Sequence, residues 1–299
     1  MRTAEARRAV AAATSIVCAL GLAVDDTVVL NDSNRLVVRL LPCDVVARVA
    51  PLAYEDIGVY SLWTDYRARA EIEVELVRRL AEKNAPAALL DPRVEPRVYV
   101  HDDFAIALWT YFEPLPSEVP SADYRHALER LHLAMRRVDV TAPHFMDRVA
   151  DTEHWVTNRD VTPDLSDADR RLLAGTLADL RRSIVDREPA EQLLHGEPHQ
   201  WNVLNTTHGP LFIDFENCVR GPVEFDLPWA PEEVGERYAN ADRELLGECR
   251  GLMLAICAAH FWRPDNQHPN TQGHREFLDA VRSGPPWPAL DVLARRAQT

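Results

Sequence analysis

Prolines at 114, 116 and 120 divide the chain into two parts with different hydrophobic periods, and that division limits what it can fold into. Before them lie short β-branched and leucine-rich runs at 27–30, 35–41, 45–50, 97–101 and 105–110; beyond them helical spacing dominates. The turn-forming stretches Asn31-Asp32-Ser33-Asn34 and Pro42-Cys43-Asp44 separate the first three runs, which implies an antiparallel meander. A helix is expected over 64–83, because Glu73, Leu76, Val77 and Leu80 share one face at spacing i, i+3, i+4 and i+7. Glu73 therefore faces inward with the apolar stripe, whereas Glu75 shares a solvent face with Arg78 and Arg79. Past the prolines, 122–138 carries Tyr124, Leu128, Leu131 and Met135 on one face, 166–185 opens on a Ser/Asp cap, and 242–260 buries Leu245, Cys249, Leu252 and Ile256. The tail 263–288, rich in Pro, Asn and Gln, reads as loop. The fold class is α+β and bilobal: a small antiparallel-sheet lobe, 1–110, and a larger, mainly helical lobe, 111–299, with a ligand cleft expected between them.

The 299 residues are enough for two cores at 46% hydrophobic content, and 27% mixed charge excludes wholesale disorder. A net charge of −14 argues against a nucleic-acid partner and fits a neutral or cationic one. Lys83 is the sole lysine, so nearly every cation is arginine. Cys18, Cys43, Cys218, Cys249 and Cys257 form no CxxC pair and are odd in number, which points to reduced thiols in a cytoplasmic protein. Arg2, Arg7 and Arg8 ahead of an Ala/Val-rich run imitate a secretory signal, but Glu5, Thr14 and Ser15 interrupt it and favour an amphipathic N-terminal helix. No uninterrupted apolar run reaches the length of about 18 residues that a membrane span needs.

The stretch from Leu193 to Asp214 carries the chemistry. Glu197, Asn202 five positions on, and Asp214 on the far limb of a hairpin set a carboxylate, an amide and a second carboxylate around a polar loop. Such a set can accept a hydroxyl proton and hold Mg²⁺, which prefers hard oxygen ligands. The order and the five-residue step match the HRDxxxxN and DFG segments of protein kinases.

HGEPHQWNVL, then LFIDFE, then GPVEFDLP resembles the aminoglycoside phosphotransferase family, whose members show HGDxHxxN, IDFE or IDFD, and GPxxxDL. The likeness is strong from 193 to 227 and weak before residue 110. It implies a protein-kinase-like fold and Mg²⁺-assisted transfer of the γ-phosphate of ATP or GTP to a hydroxyl of a small acceptor. Carried over by residue, it makes Glu197 the catalytic carboxylate and Asn202 and Asp214 the Mg²⁺ ligands. His195 and His199 hold the loop, and Asp226 anchors it through backbone hydrogen bonds. Upstream, the family pairs a strand cation with an inward helix Glu. Arg48 is the available cation and can grip phosphate oxygens with two N–H groups, unless it is simply a surface strand arginine. Glu73 fills the partner position. Ser33 and Asn34 sit where nucleotide phosphates are covered, though an ordinary hairpin turn reads the same way. Trp109 and Tyr111, in the 109–112 segment, fall at the lobe junction where main-chain groups meet the base; a core strand end is the plainer reading.

Two departures stand out. Glu197 replaces the family's Asp, and one methylene moves the carboxylate by about 1.5 Å. Gln200-Trp201 replaces Pro-Gly, with Trp201 expected to pack against the loop. Asp147, Asp151, Glu153, Glu232, Glu233 and Glu236 offer an acidic surface for cationic acceptors such as aminoglycoside or basic peptide antibiotics, or form a solvated face. Glu197 and the missing strand lysine also motivate a second reading, a nucleotide-binding pseudokinase acting as a regulatory module. An accidental match in an unrelated α/β protein is the third.

Overall fold

The computed structural model describes residues 3–32, 35–52, 65–262 and 271–296. The chain divides into two compact units: Met1–Glu118 with Arg137–Thr141 and Leu204–Asn217, and Val119–Arg136 with Ala142–Val203 and Cys218–Thr299. It therefore leaves the first unit and returns to it twice. The second return carries Asp214.

The first unit is built on five antiparallel strands, β1 (Val24–Asp32), β2 (Leu36–Pro42), β3 (Val45–Pro51), β4 (Tyr99–His101) and β5 (Phe104–Thr110), in the order β1-β2-β3-β5-β4. The first three form the expected meander, and β5 then pairs with β3. Helix α1 (Thr3–Ala19) packs Ala9, Ala12, Ala13 and Val17 with Val45, Ala47 and Val49 of β3 in one core. Small residues at those helical positions let the helix approach the strands closely. Because side chains alternate across a strand, the residues between these, Val46 and Arg48, project from the other face of the sheet. Helix α2 (Tyr66–Ala81) supplies Arg48 with a partner there, and opens on Asp65, whose carboxylate accepts the Ala68 N–H. Strands β7 (Val203–Thr206) and β8 (Gly209–Phe212) form a hairpin. Its Phe212 exchanges backbone hydrogen bonds with Pro86 and Ala88, both at 2.8 Å.

The second unit comprises α3 (Ser121–Met135), α4 (Phe145–Thr157), α5 (Asp167–Asp186), α6 (Glu232–Arg237), α7 (Arg243–His260), α8 (Thr271–Ser283) and α9 (Leu290–Arg296). Two short strands, β6 (Gln192–Leu194) and β9 (Val219–Gly221), pair antiparallel among them. Helix α7 is the core helix, buried from Leu245 to Ala259 on most of its circumference and packed against α4, α5 and α8. Within the tail expected as loop, residues 271–283 instead form α8 and 284–288 are non-helical, while 263–270 lie outside the described residues. Among the described residues no helix is long and apolar enough to cross a membrane.

Gly221 shows why the GPVEFDLP segment opens on glycine: a Cβ there would lie 2.8 Å from Cδ1 of the buried Phe145 ring. Gly221→Ala should cost about 1–3 kcal/mol by forcing that ring off its position, measured as a lowered urea midpoint at unchanged slope.

Candidate active site

In the first unit the Arg48 guanidinium reaches three carboxylates. Nη1 donates to Glu73 at 2.5 Å, and Nη2 donates to Asp214 at 2.9 Å and Glu216 at 3.1 Å. Glu73 is buried and also accepts the Phe215 N–H at 2.9 Å. Arg69, one turn before Glu73 on α2, donates to Glu216 at 2.9 Å and to the Asn217 amide oxygen. Arg35, immediately before β2, pairs with Glu216 and lies 3.7 Å from Asp214. The Tyr66 ring meets both added cations, Arg35 at 5.0 Å and Arg69 at 5.6 Å. Three guanidiniums thus face three carboxylates.

Burial works against the charge on Arg48, but Asp214 and Glu73 outweigh it and hold the group above the ordinary arginine value. Burial raises Glu73, with Arg48 pulling the other way. Arg35, burdened by burial and by the neighbouring Arg48 and Arg69, is pushed down to about 9 and stays cationic at neutral pH. Asp214 itself has a φ of 68°, a left-handed conformation that Asp tolerates better than most residues. That bend carries the chain from β8 into the short turn Phe215–Asn217.

In the second unit the HGEPHQWN loop follows β6 and hangs on Asp226. Its two carboxylate oxygens accept the backbone N–H groups of His195 at 2.9 Å and Gly196 at 2.8 Å. His132 Nε2 lies 2.9 Å from the first of those oxygens, and Tyr238 Oη lies 2.7 Å from His132 Nδ1. Asp226 is fully buried, so these partners are what makes its burial tolerable. Gly196 has a φ of 91°, which side-chain-bearing residues avoid. The Tyr124 hydroxyl donates to the Pro198 carbonyl, and burial beside Asp226 pushes that phenol well above its ordinary value.

Within this loop the Glu197 N–H donates to His195 Nδ1 at 3.4 Å, and the Glu197 carboxylate accepts from Arg148 Nη2 of α4 at 2.5 Å. The Arg148 guanidinium also lies 5.6 Å over the Trp229 ring. Asn202 Nδ2 donates to the Glu197 carbonyl at 3.0 Å and lies 3.3 Å from His199 Nε2. A carbonyl only accepts, so the amide nitrogen must face it and the amide oxygen is the end available to a ligand. Cys257 is influenced by both Arg148 and Glu197, but burial pushes its thiol up to about 12, which rules it out as a nucleophile at neutral pH.

The sequence pattern that defines the phosphotransferase enzyme family matches residues 21–252. The chain belongs to this family. A spectinomycin phosphotransferase, solved with ADP and spectinomycin, is 13% identical over 96% of this chain and 97% of its own, with a TM-score of 0.61. A choline kinase from Streptococcus pneumoniae is 10% identical over 91% and 98%, with a TM-score of 0.63. An amicoumacin kinase, solved with AMP-PNP, Ca²⁺ and Ami, is 11% identical over 93% and 96%, with a TM-score of 0.61. No curated protein matches in sequence. At such identities the structures share the kinase-like fold, and family membership makes this chain a small-molecule phosphotransferase.

The other residues singled out in the sequence have the following surroundings. Ser33 and Asn34 lie outside the described residues. Trp109 is buried within β5 opposite Val46, and its indole N–H has no hydrogen-bond partner. Tyr111 donates its hydroxyl to Glu113 at 2.7 Å under the Arg39 guanidinium. Trp201 meets the His199 ring of the same loop edge-on at 5.5 Å while remaining 62% exposed. The acidic surface is smaller than its residues imply, because Asp147 caps α4 through the His144 N–H and Glu153 pairs with Arg181 at 3.3 Å. Arg35, Arg69, Glu216 and Arg148 are the site residues that sequence reasoning passes over. Arg69 carried a signal, four positions before Glu73 on the same inward face.

The donors fit Mg²⁺ chemically, since Asn202 and Asp214 offer an amide oxygen and a carboxylate, both hard ligands. Among the described residues no group of three or more His, Cys, Asp or Glu side chains is placed to hold a metal.

Arg48→Ala should destabilise the protein by about 3–5 kcal/mol, because it strands the buried Glu73 carboxylate; Arg48→Lys should cost less, since an ammonium keeps the charge but cannot span the same three partners. Chemical denaturation measures both. Glu73 supplies a pH signature. Its folded-state value lies above the ordinary 4.5, so the folded protein binds that proton more tightly than the unfolded chain. Glu73 therefore adds stability as pH falls through its folded value. Wild type should gain stability relative to Glu73→Gln as pH is lowered toward the ordinary glutamate value; a difference that does not move with pH would contradict this.

Proposed function

We propose that this enzyme transfers the γ-phosphate of ATP or GTP to a hydroxyl of a small acceptor, with Glu197 handling the acceptor proton. The observation that carries the reading is the restraint on Glu197. Its loop is tied at two backbone N–H groups by Asp226, and its carboxylate is held at 2.5 Å by Arg148. A glutamate has one more rotatable bond than an aspartate, and Arg148 removes that freedom. The carboxylate so held would accept the acceptor O–H proton as the hydroxyl attacks phosphorus. Arg148 is in this scheme a positioning residue.

Arg48, oriented by Glu73, would grip nucleotide phosphate oxygens. Asn202 and Asp214 would hold Mg²⁺, which when bound neutralises charge on the transferring phosphoryl group. Catalysis would then come from positioning and charge stabilisation rather than from covalent chemistry. For the acceptor we favour a hydroxylated, cationic antibiotic. The net charge of −14 supports that class, as do spectinomycin and amicoumacin on similar folds.

Incubating the protein with ATP or GTP and a panel of hydroxylated antibiotics and sugars, with mass detection of a phosphate adduct, tests the reading directly. Nucleotide-induced thermal stabilisation with no adduct from any acceptor would instead favour the regulatory-module reading. Once an acceptor is found, Glu197→Ala should lower kcat at least about a hundredfold while nucleotide binding persists. Glu197→Asp should fail to recover full activity, because the shortened side chain loses Arg148 and shifts by about 1.5 Å. Arg148→Lys should lower kcat with nucleotide KM unchanged; a change in KM alone would remove Arg148 from this role.

A further inference from the structure

Within the second unit, a cavity of about 300 Å³ is lined by Glu236 of α6 and by Arg243, Leu246, Gly247 and Arg250 of α7. The four α7 residues follow the i, i+3, i+4, i+7 pattern, so they form one stripe down a single helical face. Three features of this stripe need a cause. First, Arg250 is half-buried, its Nε is shielded from solvent, and that nitrogen has no hydrogen-bond partner. Second, among the described residues no carboxylate lies within ion-pair distance of Arg243 or Arg250. Arg243 instead donates to the carbonyls of Gly235 (3.2 Å) and Glu236 at the end of α6. Third, Gly247 lies in the interior of α7, where glycine costs about 1 kcal/mol relative to alanine, yet a Cβ there would meet nothing within 4 Å. Packing therefore does not require this glycine. The space over the stripe is open at this position.

Two guanidiniums on one helical face beside a cavity, with no carboxylate of the described residues against either, leave their charge uncompensated, and an oxyanion in the cavity would supply the opposite charge and the acceptors for their outer N–H groups. The Glu236 side chain is exposed and makes no ion pair with either arginine, so it does not fill that role. We infer that this cavity is a binding site for a small oxyanion, a phosphate or carboxylate group, held by Arg250 and Arg243 over the gap at Gly247. It is separate from the residues assigned to phosphotransfer, none of which lines it.

The test uses the full chain and two probes at matched ionic strength, inorganic phosphate and malonate, with sodium chloride as the control. A saturable rise in thermal midpoint with one or both probes, absent with chloride, is expected, and the probe that saturates identifies the group. Gly247→Leu, which fills the cavity and keeps both arginine charges, and Arg250→Gln, which removes one charge, should each weaken the apparent Kd at least about tenfold. Thermal stabilisation by Mg²⁺-ATP, retained in both variants, establishes that they are folded. No saturable shift with either probe overturns the proposal. So does a shift that persists unchanged in both variants, which would place the anion elsewhere, for example among Arg35, Arg48 and Arg69.

Discussion

The Arg48 guanidinium is the joint on which the first unit's half of the chemistry depends. It ties residues 25 and 166 positions away in the chain, Glu73 and Asp214, to the central strand of the sheet. Neither carboxylate could be so shielded without it, because a shielded anion needs an opposite charge and directional donors at once. A lysine supplies the charge. The planar guanidinium adds the geometry, two nitrogens that reach three acceptors without rearrangement. Arg35 and Arg69 then become intelligible as consequences, since adding Glu216 to the cluster brings a third anion that the Arg48 fork alone would not balance.

Glu197 is held by a different logic. Its restraint begins at the backbone, where Asp226 satisfies two N–H groups that the glycine-bent loop turns inward, and His132 and Tyr238 extend the chain of partners behind it. Only the last step, from loop to carboxylate, is made by a side chain, Arg148. The rigid backbone fixes where Glu197 starts, and the guanidinium fixes where its carboxylate ends. This division is why a longer acid can occupy the position at all: the additional methylene is taken up by a partner on α4 rather than left free.

How much of this was legible in the sequence depended on whether the signal was local. Glu73 was readable from helical spacing, and the loop from Leu193 to Asp214 from its spacing of carboxylate, amide and carboxylate. The meander was readable because turn residues separate its strands. Glu216 and Arg35 were not, because their roles exist only once β2, α2 and the turn after β8 are assembled. Helix α4 was obscured by its start: His144 serves as N-cap, an unusual residue for that position, directly after Pro143. Its core face, Phe145, Val149, Thr152 and Val156, does follow a helical period. Without that helix Arg148 has no address. Helix α8 was lost for the opposite reason, as turn-forming residues on both sides made a helical segment read as loop.

The arginine-rich composition, with Lys83 as sole lysine, has a chemical consequence in each unit. Asp214 and Glu197 are each met by a guanidinium, whose protonation does not change across the physiological range. Neither contact can therefore be switched off by loss of the cation's proton, and pH acts on these two pairs through their carboxylates. A lysine in either place would add a second titration at the alkaline end, because an ammonium shifts its proton affinity readily when it is shielded from water.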